Sequence, residues 1–214
     1  MLENIPLFTG LKPGEIGAIA AHAVTRNYPK CAVIINEGEM SDSLYCIQSG
    51  KVKVYVSDED GKEVILNIMG PNQYFGELAL IDDSPRSASV MTMESSALSI
   101  VSKAAFRDCL AKNPDIALNL LRYFTQRVRG LTENVKNLAL LDVYGRVART
   151  LLSLATPRGD GLVIEDKLTQ QDIANMVGAS REMVSRILKD LTVGGYIKTE
   201  GRQIIINEKL PAAW

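Results

Sequence analysis

The chain has 214 residues, 46% of them apolar, and balances 24 Lys+Arg against 25 Asp+Glu for a formal net charge of -1. That is enough chain for one large or two modest cores, and a charge too even to demand a polyanionic partner. A single His22 and three scattered cysteines (Cys31, Cys46 and Cys109) leave little material for a Ser-His-Asp or Cys-His centre, a zinc site or an iron–sulfur cluster, so neither enzyme nor metal site is expected.

The start, MLENIPLFTG, has no basic segment followed by an apolar core, and no apolar run is long enough to span a bilayer. A cytoplasmic chain with no membrane partner is the expectation. From about Tyr28 to Val101 short alternating runs are punctuated by glycines, the texture of many short strands closed into a roll. In KVKVYVSDEDGKEVILNIMG the alternation predicts Val52, Val54 and Val56 on one face and Lys51, Lys53 and Tyr55 on the other. After the acidic turn Asp58-Glu59-Asp60-Gly61, Val64, Leu66 and Ile68 alternate again as the buried face of a hairpin.

Residues 74–90, YFGELALIDDSPRSASV, carry the chemistry of an anion and sugar site. Gly76 lets the backbone approach a ligand, and a short helix starting near Glu77 would aim N–H groups at an anion. Arg86 suits a phosphodiester charge, and Ser87 adds a hydroxyl donor. The Glu77 carboxylate suits a ribose 2′-hydroxyl. On the residues alone, a structural Glu77–Arg86 salt bridge is the competing reading.

Pro114 and Asp115 then suit a helix start, after Asn113. Ala117, Leu121, Phe124, Val128, Leu131, Val135 and Leu138 follow at steps of four and three. An apolar repeat averaging 3.5 residues is a coiled-coil seam, which predicts a parallel homodimer; packing of the stripe on the roll is the alternative. Next, VYGRVARTLLSLA reads as a helix and TPRGDG as a surface loop. Thr169 and Asp172 form a capping box, Gly178 ends that helix, and Ser180 caps the next. Two short helices with a glycine turn predict a helix-turn-helix, and Glu200-Gly201 between apolar runs predicts a hairpin wing. On the second helix, Val184, Ile187, Leu188 and Leu191 fall on one side. Arg181, Glu182, Ser185, Arg186 and Lys189 fall opposite, within an arc of about 140°. Arginine suits guanine edges and glutamate suits cytosine, and the N-terminal residues of such a helix approach the bases. A merely solvated charged face is weighed against this, because residues 143–214 carry ten Lys+Arg and eight Asp+Glu, far from a basic domain.

FGELALIDDSPRSASV resembles the phosphate-binding cassette of cyclic-nucleotide-binding domains. With NPDIALNLL, NLALLDVYGRVARTLL and LTQQDIANMVGASREMVSRIL, the chain from about Pro29 to Asn207 resembles the Crp/Fnr regulators, most closely the cyclic-AMP-responsive members. The resemblance implies an α+β fold: a jelly-roll-like cyclic-nucleotide-binding β-roll over 1–112, a dimerisation helix over 113–141 and a winged helix-turn-helix over 142–214. It implies that Gly76, Glu77 and Leu78 hold the ribose and phosphate region, and that Arg86 and Ser87 grip the cyclic phosphate. Arg181, Glu182 and Arg186 would read TGTGA-like half-sites of a palindrome in double-stranded DNA, with Ser180 on a phosphate. Thr169 and Gln170, at the start of the first helix, are counted with these contacts. The family pattern departs at Leu131 and Thr132, which stand where adjacent Thr and Ser contact adenine. Leu131 cannot hydrogen-bond a base amino group, so cyclic AMP is the favoured effector while cyclic GMP, cyclic di-GMP or none remain open. RNA polymerase is the implied further partner, through the short TPRGDG loop or the acidic turn Asp58–Asp60. A regulatory module for a partner enzyme is the alternative class.

Overall fold

The computed structural model describes residues 2–159, 161–165, 168–200, 203–207 and 210. The chain forms two compact units, Met1–Val128 and Arg129–Trp214. In the first, β1 (Ala23–Tyr28), β8 (Ser96–Ser102), β3 (Ser43–Ser49) and β6 (Tyr74–Phe75) make one antiparallel sheet in that order. The strands β2 (Val33–Ile35), β7 (Ser89–Thr92), β4 (Val52–Ser57) and β5 (Glu63–Met69) make the other. Their inner faces close over Ile35, Ile47, Val52, Val54, Phe75, Val90 and Leu98. This is the expected roll.

Strand β3 is apolar on both faces because it has two jobs. Ile47 enters the core between the sheets, while Leu44 and Cys46 face a second core built from helices. That second core takes Phe106 from α3 (Lys103–Lys112), Ile116 and Leu120 from α4 (Pro114–Leu140), and Ile5, Leu7 and Phe8 from the N-terminal turns. Burial pushes the Cys46 thiol up to about 12, so it is an inert packing group. The sequence of the N-terminal segment gives no local sign of its packing. The segment packs as two 3-10 turns and α1 (Pro13–Ala20), with Leu7 and Phe8 essentially inaccessible, each worth about 1.5–3 kcal/mol of burial. Asn119 on α4 donates to the carbonyls of Leu7 (3.2 Å) and Thr9 (2.8 Å), tying that segment to the long helix.

The hairpin β4–β5 departs from simple alternation. Its register shifts between Val54 and Tyr55, pairing Val54 with Asn67 but Tyr55 with Ile65. The extra residue is a bulge, and a bulge moves side chains to the other face. Val64 and Leu66 are exposed; Met69, opposite Val52, enters the core between the sheets, and Ile65, opposite Tyr55, is buried beyond the bulge. Tyr55, expected outside with the lysines, is buried beside Val54.

Helix α4, at 27 residues, is about 40 Å long. It carries two apolar stripes. Ile116, Leu120 and Tyr123 pack on the first unit's core. The 3.5-residue stripe does not: Leu121, Val128, Leu131, Val135 and Leu138 are between 49% and 65% exposed. Only Phe124 of the stripe also leans on that core.

The second unit holds α5 (Val143–Leu154), α6 (Gln170–Val177) and α7 (Arg181–Val193) around Tyr144, Val147, Leu151, Ile173, Val177, Val184, Ile187 and Leu191. A four-stranded antiparallel sheet runs β11 (Ile197–Glu200), β12 (Gln203–Ile206), β10 (Gly161–Ile164), β9 (Thr156–Arg158). The TPRGDG segment is thus not only a loop: Thr156, Pro157 and Arg158 pair with Val163, Leu162 and Gly161 at the sheet edge. Proline is tolerated there because an edge strand need not donate on its outer side. Asp160 of that segment and Gly201 of the wing turn lie outside the described residues. Among the described residues, no helix is long and apolar enough to cross a membrane. Because the Thr169 hydroxyl accepts from Asp172 N–H while the Asp172 carboxylate accepts from Thr169 N–H, Thr169→Ala should cost about 1 kcal/mol in urea unfolding.

Candidate functional site

The chain from β6 to β7 lines a narrow pocket of about 40 Å³. Gly76, Glu77, Leu78, Ala79, Arg86, Ser87 and Ala88 form one wall, Ile35, Val54 and Val90 the apolar floor, and Arg127 of α4 a further side. The expected short helix is α2 (Leu78–Asp82), with Glu77 at its N-cap.

Arg86 is the centre of this site. Its side chain is 4% exposed, yet it forms no ion pair among the described residues. Its guanidinium donates from Nη1 to the Gly76 carbonyl (2.5 Å) and from Nη2 to Ser41 Oγ (2.7 Å) and the Ser43 carbonyl (2.6 Å). Nε is buried with no partner. Three neutral acceptors fix the plane of the cation without cancelling its charge, so a positive charge faces the pocket with a donor to spare. The structural salt bridge with Glu77 is not formed. Gly76 serves Arg86 as well as the pocket: its φ is +87°, and a Cβ there would sit 2.7 Å from Nη1.

Glu77 is 2% exposed. Burial holds its carboxyl above the usual carboxylate range, against the pull of Arg127 and Arg86. Arg127 donates to the Tyr123 hydroxyl at 3.0 Å, and the Tyr123 ring lies 4.9 Å from that of Tyr74. The pocket thus sets one buried acid between two arginines, an acceptor for a hydroxyl beside donors for an anion. Ser87 is exposed at the pocket's mouth, and Leu78 is half-buried. Leu131 and Thr132 lie on the part of α4 that belongs to the second unit, both exposed. Arg127, Ser41 and Ser43 carry no sequence signal of their place in the site. An arginine between two seam positions reads as a solvated charge, and serines more than 40 residues from Arg86 give no local signal.

In the second unit the local signals are realised in full. Gly178 sits at φ +64° as the left-handed cap of α6, and Ser180 Oγ accepts from Met183 N–H at the start of α7. Arg146 of α5 donates to the Val177 carbonyl (2.9 Å) and the Leu141 carbonyl (3.0 Å), fixing the end of α6 against α5. Val184, Ile187 and Leu191 are buried under α7. Arg181, Glu182, Arg186 and Lys189 are exposed on its far side with Ser180, Thr169 and Gln170, and Ser185 is half-buried. Among the described residues, no group of three or more His, Cys, Asp or Glu side chains could hold a metal ion.

Comparison with known proteins matches residues 25–113 to the cyclic nucleotide-binding domain family and residues 145–209 to the Crp-like helix-turn-helix domain family. The chain is 38% identical over 212 residues to a CRP-like cAMP-activated global transcriptional regulator of Mycobacterium tuberculosis, covering 97% of this chain and 95% of that one. Among solved structures it is similar to the c-di-GMP responsive global regulator CLP of Xanthomonas campestris, at 27% identity and a TM-score of 0.79 over 92% of this chain and all of that one. It is also similar to the catabolite activator protein of Thermus thermophilus, at 30% identity and a TM-score of 0.57 over 95% and 94%.

The buried acid carries a prediction with a definite sign. A carboxyl whose pKa is raised on folding favours the fold while protonated, and that contribution is lost as pH rises through the raised value. Ligand-free Glu77→Gln should therefore melt higher than the native chain at pH 7–8, with the gap narrowing as pH falls toward about 5 in thermal denaturation.

Proposed function

Because the chain belongs to the Crp/Fnr family of transcription regulators, we propose that it is a homodimeric regulator switched by cyclic AMP and binding palindromic sites with TGTGA-like halves. The broader description is firm: a DNA-binding transcription regulator with a cyclic-nucleotide-binding domain, and not an enzyme. The observation that carries the nucleotide reading is the buried Arg86, held by three neutral acceptors with Nε unused. A cyclic phosphate supplies the missing charge. Gly76 allows close approach, Ser87 adds a donor, and Glu77 accepts from the ribose hydroxyl, with Leu78 against the sugar.

Two features support the rest. The exposed stripe Leu121, Phe124, Val128, Leu131, Val135 and Leu138 is the surface on which a second copy would pack in a parallel coiled coil. In such a dimer the two copies of α7 would enter successive major grooves roughly 34 Å apart. Arg181, Glu182 and Arg186 would then read bases, with Ser180, Thr169, Gln170, Ser185 and Lys189 on the backbone or groove edge. Cyclic nucleotide favours the DNA-binding state by binding it more tightly than the other. RNA polymerase is the proposed further partner, with the Asp58–Asp60 turn as an exposed acidic contact. Leu131 favours a second reading of the effector, since it offers no hydrogen bond to a purine. The similar Xanthomonas regulator responds to cyclic di-GMP, and the same phosphate grip would serve that ligand.

Arg86→Ala should leave the dimer intact and abolish nucleotide-stimulated operator binding in fluorescence anisotropy; a normal nucleotide response in this variant would refute the sensing role. Val135→Glu with Leu138→Glu should convert the dimer to monomer in sedimentation equilibrium and weaken operator binding. Glu182→Ala should relax preference at one base pair of each half-site by about 1–3 kcal/mol, whereas uniform weakening across sequences would place Glu182 on the backbone.

A further inference from the structure

The walls of the pocket are not held only from within. Helix α2 ends at Asp83, which adopts a left-handed backbone (φ +59°, ψ +18°) that glycine would fill without strain. What a glycine could not supply is the carboxylate. Both of its oxygens accept from Arg107 Nη2 at 2.9 Å, and Oδ1 pairs with Lys103 Nζ at 2.5 Å. Arg107 also donates from Nε to the Leu80 carbonyl at 3.2 Å, satisfying a carbonyl near the end of α2.

The same helix α3 also reaches the segment that holds Arg86. Lys103 Nζ lies 3.5 Å from Asp42, and Lys103 N–H donates to the Asp42 carbonyl at 2.8 Å. Asp42 stands between Ser41 and Ser43, the two residues whose oxygens hold the Arg86 guanidinium. Two cations on α3 therefore tether both the segment that carries Glu77 and the segment that orients Arg86. Singly, such partly exposed ion pairs are worth little. Here two cations share one carboxylate, and backbone hydrogen bonds at each end give the network a fixed geometry.

We infer that Arg107, Lys103 and Asp83 are positioning residues for the phosphate site: they tie the helix that follows Glu77 to the segment that orients Arg86, and so tune ligand affinity without touching ligand. This rests on the proposal that the pocket takes a cyclic nucleotide. The hydrogen bonds from Lys103 and Arg107 hold the Asp83 carboxyl below the usual carboxylate range, so the clamp stays charged at neutral pH.

Calorimetric titration of the full chain with cyclic AMP tests this, alongside ligand-free thermal melts. Arg107→Met should bind about tenfold more weakly while melting within about 2 °C of the native chain, and Arg107→Lys should recover most of the affinity. Asp83→Gly relieves the left-handed backbone, so it should melt no lower than the native chain and yet bind more weakly. That second variant decides the matter if Arg107→Met fails to fold. Native affinity in Asp83→Gly, or in a folded Arg107→Met, overturns the positioning role and leaves the pocket reading standing. A native chain that takes up no cyclic AMP overturns the cyclic AMP reading and the inference with it.

Discussion

The first unit is organised around a buried cation that forms no ion pair among the described residues. Removing a guanidinium from water is costly unless its donors are met and its charge is balanced. In this chain the first condition is largely satisfied, by Gly76, Ser41 and Ser43, and the second is not. A protein could lower this cost by moving Glu77 into contact with Arg86. Instead Glu77 stays apart as a buried acid near Arg127, and Arg86 Nε is buried with no hydrogen-bond partner. On the proposed reading, that arrangement gives up stability in the ligand-free chain for affinity toward an anion. Gly76 contributes directly, through its carbonyl and its lack of a side chain.

Helix α4 carries the consequence along the chain. Its inner stripe is committed to the first unit's core through Ile116, Leu120 and Tyr123, and Arg127, one turn past Tyr123, lines the pocket. Its other stripe remains exposed through Leu138. One helix thus bears a core contact, a pocket residue and the proposed dimer stripe. A ligand that engages Arg127 acts on the helix that would form the dimer, so site and switch need no longer wire between them.

What could be read from sequence divides by the range of the interactions involved. The helix-turn-helix was fully legible because its determinants are local: Thr169 with Asp172, Gly178, and Ser180 with Met183 act within four residues. Arg86, Gly76 and Glu77 were legible because their string is dense with chemistry. On α4 the 3.5-residue stripe was legible from its spacing, but the core-facing Ile116, Leu120 and Tyr123 were not, because their partners lie in distant segments of the chain. The outward face of β5 was misread because its register is set by a bulge opposite β4, a long-range pairing with no local mark. The β9 strand was hidden by Pro157 and Gly159, which usually signal a loop, and Arg127 by its guise as a surface charge on a helix.

The most direct test is calorimetric titration of the native chain with cyclic AMP, cyclic GMP and cyclic di-GMP in parallel. Saturable binding of cyclic AMP at one site per chain, tighter than cyclic GMP, is the predicted result. Tighter binding of cyclic di-GMP would keep the phosphate grip and assign the effector to the Leu131 departure. No binding of any of the three would contradict the role of the uncompensated Arg86.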